Sequence, residues 1–285
     1  MTNKLTVKCP AKVNLFLHVT GKRQDGYHNI YTLFYPISLC DNLTIEKSSH
    51  TVLECSNADL PVDDNNIIIK THNLLKEQYN LQDEYKIYLE KNIPFGAGLG
   101  GGSSNAAKYL QAVNKLSGLN LSYSQMKHIM EQIGSDTIFF LHNRPMEAYG
   151  RGEMLENAPV LPPLYFVIIN PNIFISTKEI YTSPDLKFTH INAIDKLKNR
   201  YTFEELKSIM ANDMEEAVFK KHKEVKEIVD FLNEESQGGA LMSGSGSTVF
   251  AIFDNEKERD NAFIKAKEKY KTYFIEKAAV FKDSW

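Results

Sequence analysis

The stretch Pro94-Phe95-Gly96-Ala97-Gly98-Leu99-Gly100-Gly101-Gly102-Ser103-Ser104 carries five glycines in its first nine residues. That density costs backbone entropy on folding, so packing alone does not account for it, and something must approach the backbone closely. Residues without Cβ let successive N–H groups turn toward one anion. Helical spacing begins directly downstream, with Ala106, Leu110 and Val113 on one face of a helix expected over Ser103–Leu116. A helix start brings its unpaired N–H groups and the positive end of its dipole to the same point, so the chemistry indicated is a polyphosphate cradle. Ser103 or Ser104 is expected to cap that helix.

Three nucleotide readings compete for the loop. Gly96, Gly98 and Gly101 satisfy GxGxxG, but a dinucleotide site also needs an acidic residue about 20 positions on, and Leu116–Tyr123 has none. A P-loop needs Gly-Lys-Ser/Thr, and this loop offers Gly-Ser-Ser without a lysine. What remains is a lysine-free cradle of amides, helix dipole and serine hydroxyls, with Mg2+ supplying the missing positive charge. Read in isolation, Lys12 would be a strand lysine facing water and Asp136 a helix N-cap.

The loop Pro-x-Gly-Ala-Gly-Leu-Gly-Gly-Gly-Ser-Ser is similar to the phosphate-binding motif of the GHMP kinases, the family of galactokinase, homoserine kinase, mevalonate kinase and phosphomevalonate kinase. Four further stretches carry the resemblance: Ala11-Lys12-Val13-Asn14-Leu15, Asp25-Gly26-Tyr27-His28, Gly134-Ser135-Asp136 and Ser243-Gly244-Ser245-Gly246-Ser247-Thr248-Val249-Phe250. In that order they resemble the branch of the family whose acceptor is a cytidine diphosphate derivative of methylerythritol. The resemblance implies an α+β, two-domain fold, with an N-terminal domain like ribosomal protein S5 domain 2, a ferredoxin-like C-terminal domain and an active site in the cleft between them. It implies ATP-dependent phosphorylation of the acceptor's 2-hydroxyl, a step of the non-mevalonate route to isoprenoid precursors. Under it, Lys12 and Asp136 are catalytic, Pro94 through Ser104 bind ATP, and Asn14, Tyr27, His28 and Tyr181 bind the acceptor. Tyr181 is then the second wall around the cytosine, and Ser104 is the candidate Mg2+ ligand. Two positions depart from the family pattern: Asn105 replaces an Asp, and Thr137-Ile138 stands where Val/Ile-Pro is usual. The alternatives are a kinase for another small alcohol, such as homoserine or mevalonate, and a non-catalytic ATP-binding regulatory protein.

The elements that must position these residues follow from periodicity. Leu5–Cys9, Val13–Thr20, Tyr31–Leu39, Leu43–Glu46 and Val52–Cys55 read as strands; Ile67–Gln78 as a helix; Tyr85–Leu89 as a strand; Tyr123–Ile133 and Asp136–His142 as helices. Glu156–Pro163 reads as a linker, dividing a domain of residues 1–158 from one of residues 159–285. Beyond it are expected a strand at Leu164–Ile169, one amphipathic helix over Asn212–Asn233, a hairpin of Gly239–Met242 and Thr248–Phe253, a helix at Glu256–Tyr270 and a strand at Thr272–Val280. Lys220, Lys221, Lys223 and Lys226 lie opposite the apolar stripe and read as a solvated face.

Composition bounds the rest. The 285 residues are 42% hydrophobic and 24% charged, and 33 basic against 36 acidic residues leave a net charge of −3, so no bulk positive field invites nucleic acid or acidic lipid. Cys9, Cys40 and Cys55 have neither disulfide nor zinc spacing, which fits a reducing, cytoplasmic setting. Met1–Pro10 lacks the apolar core of a secretory signal, so no leader is expected, and no run approaches the ~20 apolar residues of a membrane span. The partner expected is a small molecule, with oligomeric state open.

Overall fold

The computed structural model describes residues 3–194 and 196–282. In chain order the elements are β1 (Lys4–Lys22), β2 (His28–Ser48), β3 (Val52–Cys55), α1 (Ile67–Tyr79), β4 (Glu84–Glu90), α2 (Gly101–Ser117), α3 (Tyr123–Ile133), β5 (Met146–Tyr149), β6 (Met154–Asn157) and β7 (Tyr165–Asn170). They continue as α4 (Thr177–Tyr181), α5 (Phe203–Ile209), α6 (Glu215–Phe219), α7 (Lys223–Ser236), β8 (Ala240–Met242), β9 (Val249–Phe253), α8 (Glu256–Lys269) and β10 (Phe274–Ala279). β1 and β2 each merge two strands that the sequence reading separated. Pro10 interrupts the apolar pattern but not β1: among the described residues β2 is the named strand beside β1, and a proline is tolerated on an edge where no neighbour needs its missing N–H.

The chain forms two compact units that follow space rather than chain order. One takes the residues up to Ala11, Cys40–Phe95 and Gly100–Asn143; the other takes Lys12–Leu39, Gly96–Leu99 and the chain from Arg144. In the first unit, β4 runs antiparallel to the second half of β2, from Asn42↔Glu90 to Ser48↔Glu84, and parallel to β3. The alternation of β4 decides its faces: Tyr85, Ile87 and Leu89 are buried while Lys86 and Tyr88 face out. α1 starts on Asn66, whose side chain accepts from the Ile68 amide, and ends on a left-handed Asn80. α3 opens with a Ser122/Gln125 capping box. Where a helix was expected over Asp136–His142, only a 3-10 turn, Ile138–Leu141, forms. All four of its side chains are apolar and buried, a composition that fits one short, wholly enclosed turn rather than an amphipathic helix.

In the second unit, the first half of β2 pairs with β5, which pairs with β6. Glu156–Pro163 is therefore not a free linker: its start is strand, and Val160 bridges Arg200. The sheet that follows is antiparallel throughout, in the order β10-β7-β9-β8. Its strands lie fourth, first, third, second along a β-α-β-β-α-β chain, which is the ferredoxin-like arrangement. α7 and α8 cover it through Ile228, Leu232, Ala262 and Ala266, packed with Val167, Val249 and Ile275, and Leu17 and Val19 of β1 join that cluster. The single helix expected over Asn212–Asn233 is two. α6 ends where Lys220 and Lys221 turn outward to Asp185 and Glu179, and α7 restarts after His222, whose backbone leaves the helical conformation.

Candidate active site

Gly96–Leu99 is held by its carbonyls. Gly98 O accepts from Lys12 Nζ at 2.8 Å and Ser243 Oγ at 2.9 Å, and Leu99 O accepts from the Lys12 amide at 2.9 Å. Among the described residues, no amide from Gly96 to Gly100 donates to a protein acceptor, so this segment turns its acceptors inward and leaves its donors unclaimed. Gly98 cannot be any other residue: its φ is +76°, and a Cβ there would lie 2.1 Å from Ser243 O. Gly96 and Gly100 also have positive φ, the alternation that lets neighbouring N–H groups face one side.

Lys12 is not the water-facing strand lysine its surroundings in sequence suggest. It is 5% exposed, and its ammonium donates to Asn14 Oδ1 at 2.7 Å as well as to Gly98. Asn14, 1% exposed, donates in turn to Thr32 Oγ1 at 2.8 Å. Expected to meet the acceptor's hydroxyls, its amide is thus also what fixes Lys12. Gly244 belongs to the same cluster: the space where its Cβ would stand is 3.5 Å from Lys12 Nζ.

α2 begins two residues earlier than expected, on a left-handed Gly100 with no side-chain cap. The serines expected to cap it do other things. Ser103 Oγ donates to Asp136 Oδ1 at 2.7 Å, which joins the loop's serine to the candidate acid. Ser104 is fully buried and its hydroxyl has no hydrogen-bond partner. With no acidic residue in the first turn, the N-terminal end of α2 keeps its positive potential. Below it lies Asp41, fully buried, which accepts from Lys91 Nζ (2.6 Å), the amides of Asn92 and Ile93 (both 2.8 Å) and Asn105 Nδ2 (2.9 Å). Asn105 therefore donates where the usual Asp would set a second carboxylate against Asp41. Cys9, buried beside Asn105, has its thiol pushed up to about 12, chiefly by burial, and is unreactive.

The aromatic residues form a separate cluster. His28 lies stacked on Tyr181, with centroids 4.8 Å apart and planes at 15°, and Phe188 flanks it at 5.8 Å. Tyr27 is 53% exposed, and Arg151 lays its guanidinium over the Tyr27 ring at 3.7 Å. Burial, then the charge of Lys22, holds the His28 pKa below its ordinary value, so the imidazole is neutral near pH 7 and offers one donor and one acceptor. Arg151, whose Nε is buried without a hydrogen-bond partner, was not singled out from the sequence. Its position between Gly150 and Gly152, both with positive φ, was the available sign of a shaped turn. Among the described residues, no group of three or more His, Cys, Asp or Glu side chains could hold a metal ion.

The N-terminal domain model of the GHMP kinases matches residues 66–144, and their C-terminal model matches residues 193–272. A Syntrophus aciditrophicus protein named 4-diphosphocytidyl-2-C-methyl-D-erythritol kinase is 40% identical over 259 residues, covering 90% of this chain and 93% of its own. A Clostridioides difficile protein of the same name is 37% identical over 280 residues, covering 94% and 92%. The crystal structure of a 4-(cytidine 5'-diphospho)-2C-methyl-D-erythritol kinase superposes with a TM-score of 0.80 at 30% identity, covering 97% of this chain and all (100%) of that one. The homoserine kinase of Cytophaga hutchinsonii, at 15% identity and a TM-score of 0.74 over 99% of this chain and 95% of its own, shares the fold.

Proposed function

The chain belongs to the GHMP kinase family, and from that premise we propose that it transfers the γ-phosphoryl group of ATP to the 2-hydroxyl of 4-diphosphocytidyl-2-C-methyl-D-erythritol, releasing ADP. The observation that carries the choice of acceptor is the aromatic cluster. A neutral His28 stacked on Tyr181, beside a Tyr27 capped by Arg151, suits a nucleobase, and a small alcohol such as homoserine or mevalonate has no ring to fill it.

In the transfer, the alcohol oxygen forms a bond to the γ-phosphorus as the bond from that phosphorus to the β,γ-bridging oxygen breaks. Asp136 accepts the hydroxyl hydrogen; the Ser103 hydroxyl on its Oδ1 keeps the carboxylate in one orientation, which supports this role. Lys12, held by Asn14 and Gly98, offsets charge on the moving phosphoryl group. Gly96 through Gly102 and the start of α2, flanked by Pro94, Phe95 and the two serines, cradle the phosphates with amides. Asn14 keeps a second amide hydrogen for the acceptor's hydroxyls. Mg2+ belongs to this reading as an ion brought by the nucleotide: hard, oxygen-seeking and held mainly by phosphates rather than by a protein cage. The unpartnered Ser104 hydroxyl is the protein ligand that fits it, and the ion would supply positive charge at the phosphates.

We extend the proposal to organisation and setting. The chain divides into residues 1–158 and 159–285, supported by the two family models falling on either side and by the β7–β10 sheet lying wholly in the second part. Among the described residues, no helix is long and apolar enough to cross a membrane. Three free cysteines support a reducing cytoplasm.

The test is ADP release by the purified protein with the cytidylated alcohol, homoserine or mevalonate as acceptor. Turnover with the first alone is expected, and turnover with either of the others instead would overturn the assignment. Asp136→Ala should lower kcat by about 10^2- to 10^4-fold while leaving ATP binding in place.

A further inference from the structure

Within the segment Ala211–Glu215, residues 212–215 were expected to open a long helix, but the segment is extended at its start. It bridges β1 in parallel at Leu17, with Leu17 N donating to Ala211 O at 2.7 Å and Asp213 N to Leu17 O at 2.9 Å. Successive side chains of an extended segment point opposite ways, and here each way holds something different. Asn212, 7% exposed, sends its amide nitrogen to Met242 O and Gly244 O, both at 2.8 Å. Glu215 accepts from the Met242 amide at 2.9 Å. Both groups thus grip the entry to the glycine turn whose Ser243 hydroxyl binds Gly98 O, the same carbonyl that receives Lys12. Asp213, 2% exposed, faces the other way. Its Oδ2 accepts from Val19 N at 2.9 Å, its Oδ1 lies 3.5 Å from His18 Nδ1 and 3.9 Å from Lys187 Nζ, and its carbonyl accepts from Lys187 N. Thr189 N closes the strap onto Val19 O, and between Lys187 and Thr189 sits Phe188, the ring against His28.

We propose that Ala211–Glu215 is a positioning clip with two separable tasks: Asn212 acts through Met242–Gly244 on the carbonyl that seats Lys12, and Asp213 acts through residues 187–189 on the ring stack that receives the acceptor's base. The assignment of these tasks to transfer and to acceptor binding rests on the kinase reading above. Neither residue touches a reacting atom. A side chain that only held the fold together would weaken both ends at once, whereas the clip separates them.

The test has a structural and a kinetic arm. In hydrogen exchange followed peptide by peptide, Asn212→Ala should speed exchange in residues 243–248 and leave 186–190 unchanged, and Asp213→Asn should do the reverse. Should the alanine variant fail to fold, Asn212→Ser, whose hydroxyl can reach one of the two carbonyls, should give the same pattern more weakly. In steady-state kinetics, Asn212→Ala should lower kcat about tenfold or more with acceptor KM within about twofold, while Asp213→Asn should raise acceptor KM about fivefold or more at nearly constant kcat. Adding Phe188→Ala to Asp213→Asn should raise acceptor KM little further, since both act on one wall. Exchange that loosens both segments in both variants, or neither segment in either, overturns the clip. Kinetic losses that fall on the same constant in both variants overturn it and leave the kinase reading intact. Segregated exchange in a wild-type protein that ignores the cytidylated acceptor supports the clip and overturns the kinase reading.

Discussion

Lys12 combines burial with charge, and the two together define what it can do. Its ammonium is enclosed and donates to Asn14 Oδ1 and Gly98 O, and under the proposed function this burial would let its charge act on a bound phosphate with little screening by water. Lys12→Met keeps the stem and removes the charge. It should lower kcat by about 10^2-fold or more, and circular dichroism should still report a folded chain. Arginine should not rescue it, because a planar fork cannot occupy a position built for a compact ammonium between those two acceptors. Asp136 differs: it is half-buried and one carboxylate oxygen accepts from Ser103, and under the proposed function its carboxylate would orient the acceptor's hydroxyl.

At the scale of elements, the glycine segment depends on the turn between β8 and β9. Gly98→Ala would drive a methyl group into Ser243 O and strain a left-handed backbone, so it should raise the KM for ATP more than that for the acceptor, and calorimetry should show a lowered Tm. The same turn is held by Glu215, at the start of α6. Burial pushes its carboxyl up to about 7 from an ordinary 4.5, against the Met242 amide that it accepts from. Below pH 4.5 the group is protonated whether the chain is folded or not, and it costs nothing. Between pH 4.5 and 7 the unfolded chain ionises it while the folded chain retains the proton, so stability falls as pH rises and levels off above 7. The total loss is about 3 kcal/mol, from about 1.4 kcal/mol for each unit of pKa difference. Glu215→Gln keeps the acceptor for Met242 and removes the titration. Denaturant unfolding at pH 5 and pH 8 should show the variant gaining on the wild type as pH rises, and parallel losses in both proteins would refute it.

For the whole molecule, the proposed division near residue 158 makes a direct prediction. The fragment 159–285 contains all four strands of the ferredoxin-like sheet and the helices α7 and α8, and it lacks Leu17 and Val19 from the apolar cluster. It should fold cooperatively when expressed alone, but less stably than the same part of the full chain, since losing two buried aliphatic side chains costs on the order of 4 kcal/mol; a broad, non-cooperative melt would argue against the division. The sequence by itself determined the glycine loop and placed many elements to within a residue or two, because glycine spacing and hydrophobic period are local properties, while Lys12, Asp136, Tyr27, His28 and Tyr181 are singled out by the family resemblance of the motifs that carry them. Val52–Cys55 and Tyr123–Ile133 form as read for that reason. Tertiary structure alone decided what each polar group faces. Asp213 meets Val19 across 194 residues and Lys12 meets Gly98 across 86, and no local pattern encodes such partners. It also moved the start of α2 to Gly101, broke the helix expected from Asn212 and buried Lys12. A segment's own sequence fixes which face turns inward, but which hydrogen-bond groups wait there is set by chain that arrives from elsewhere.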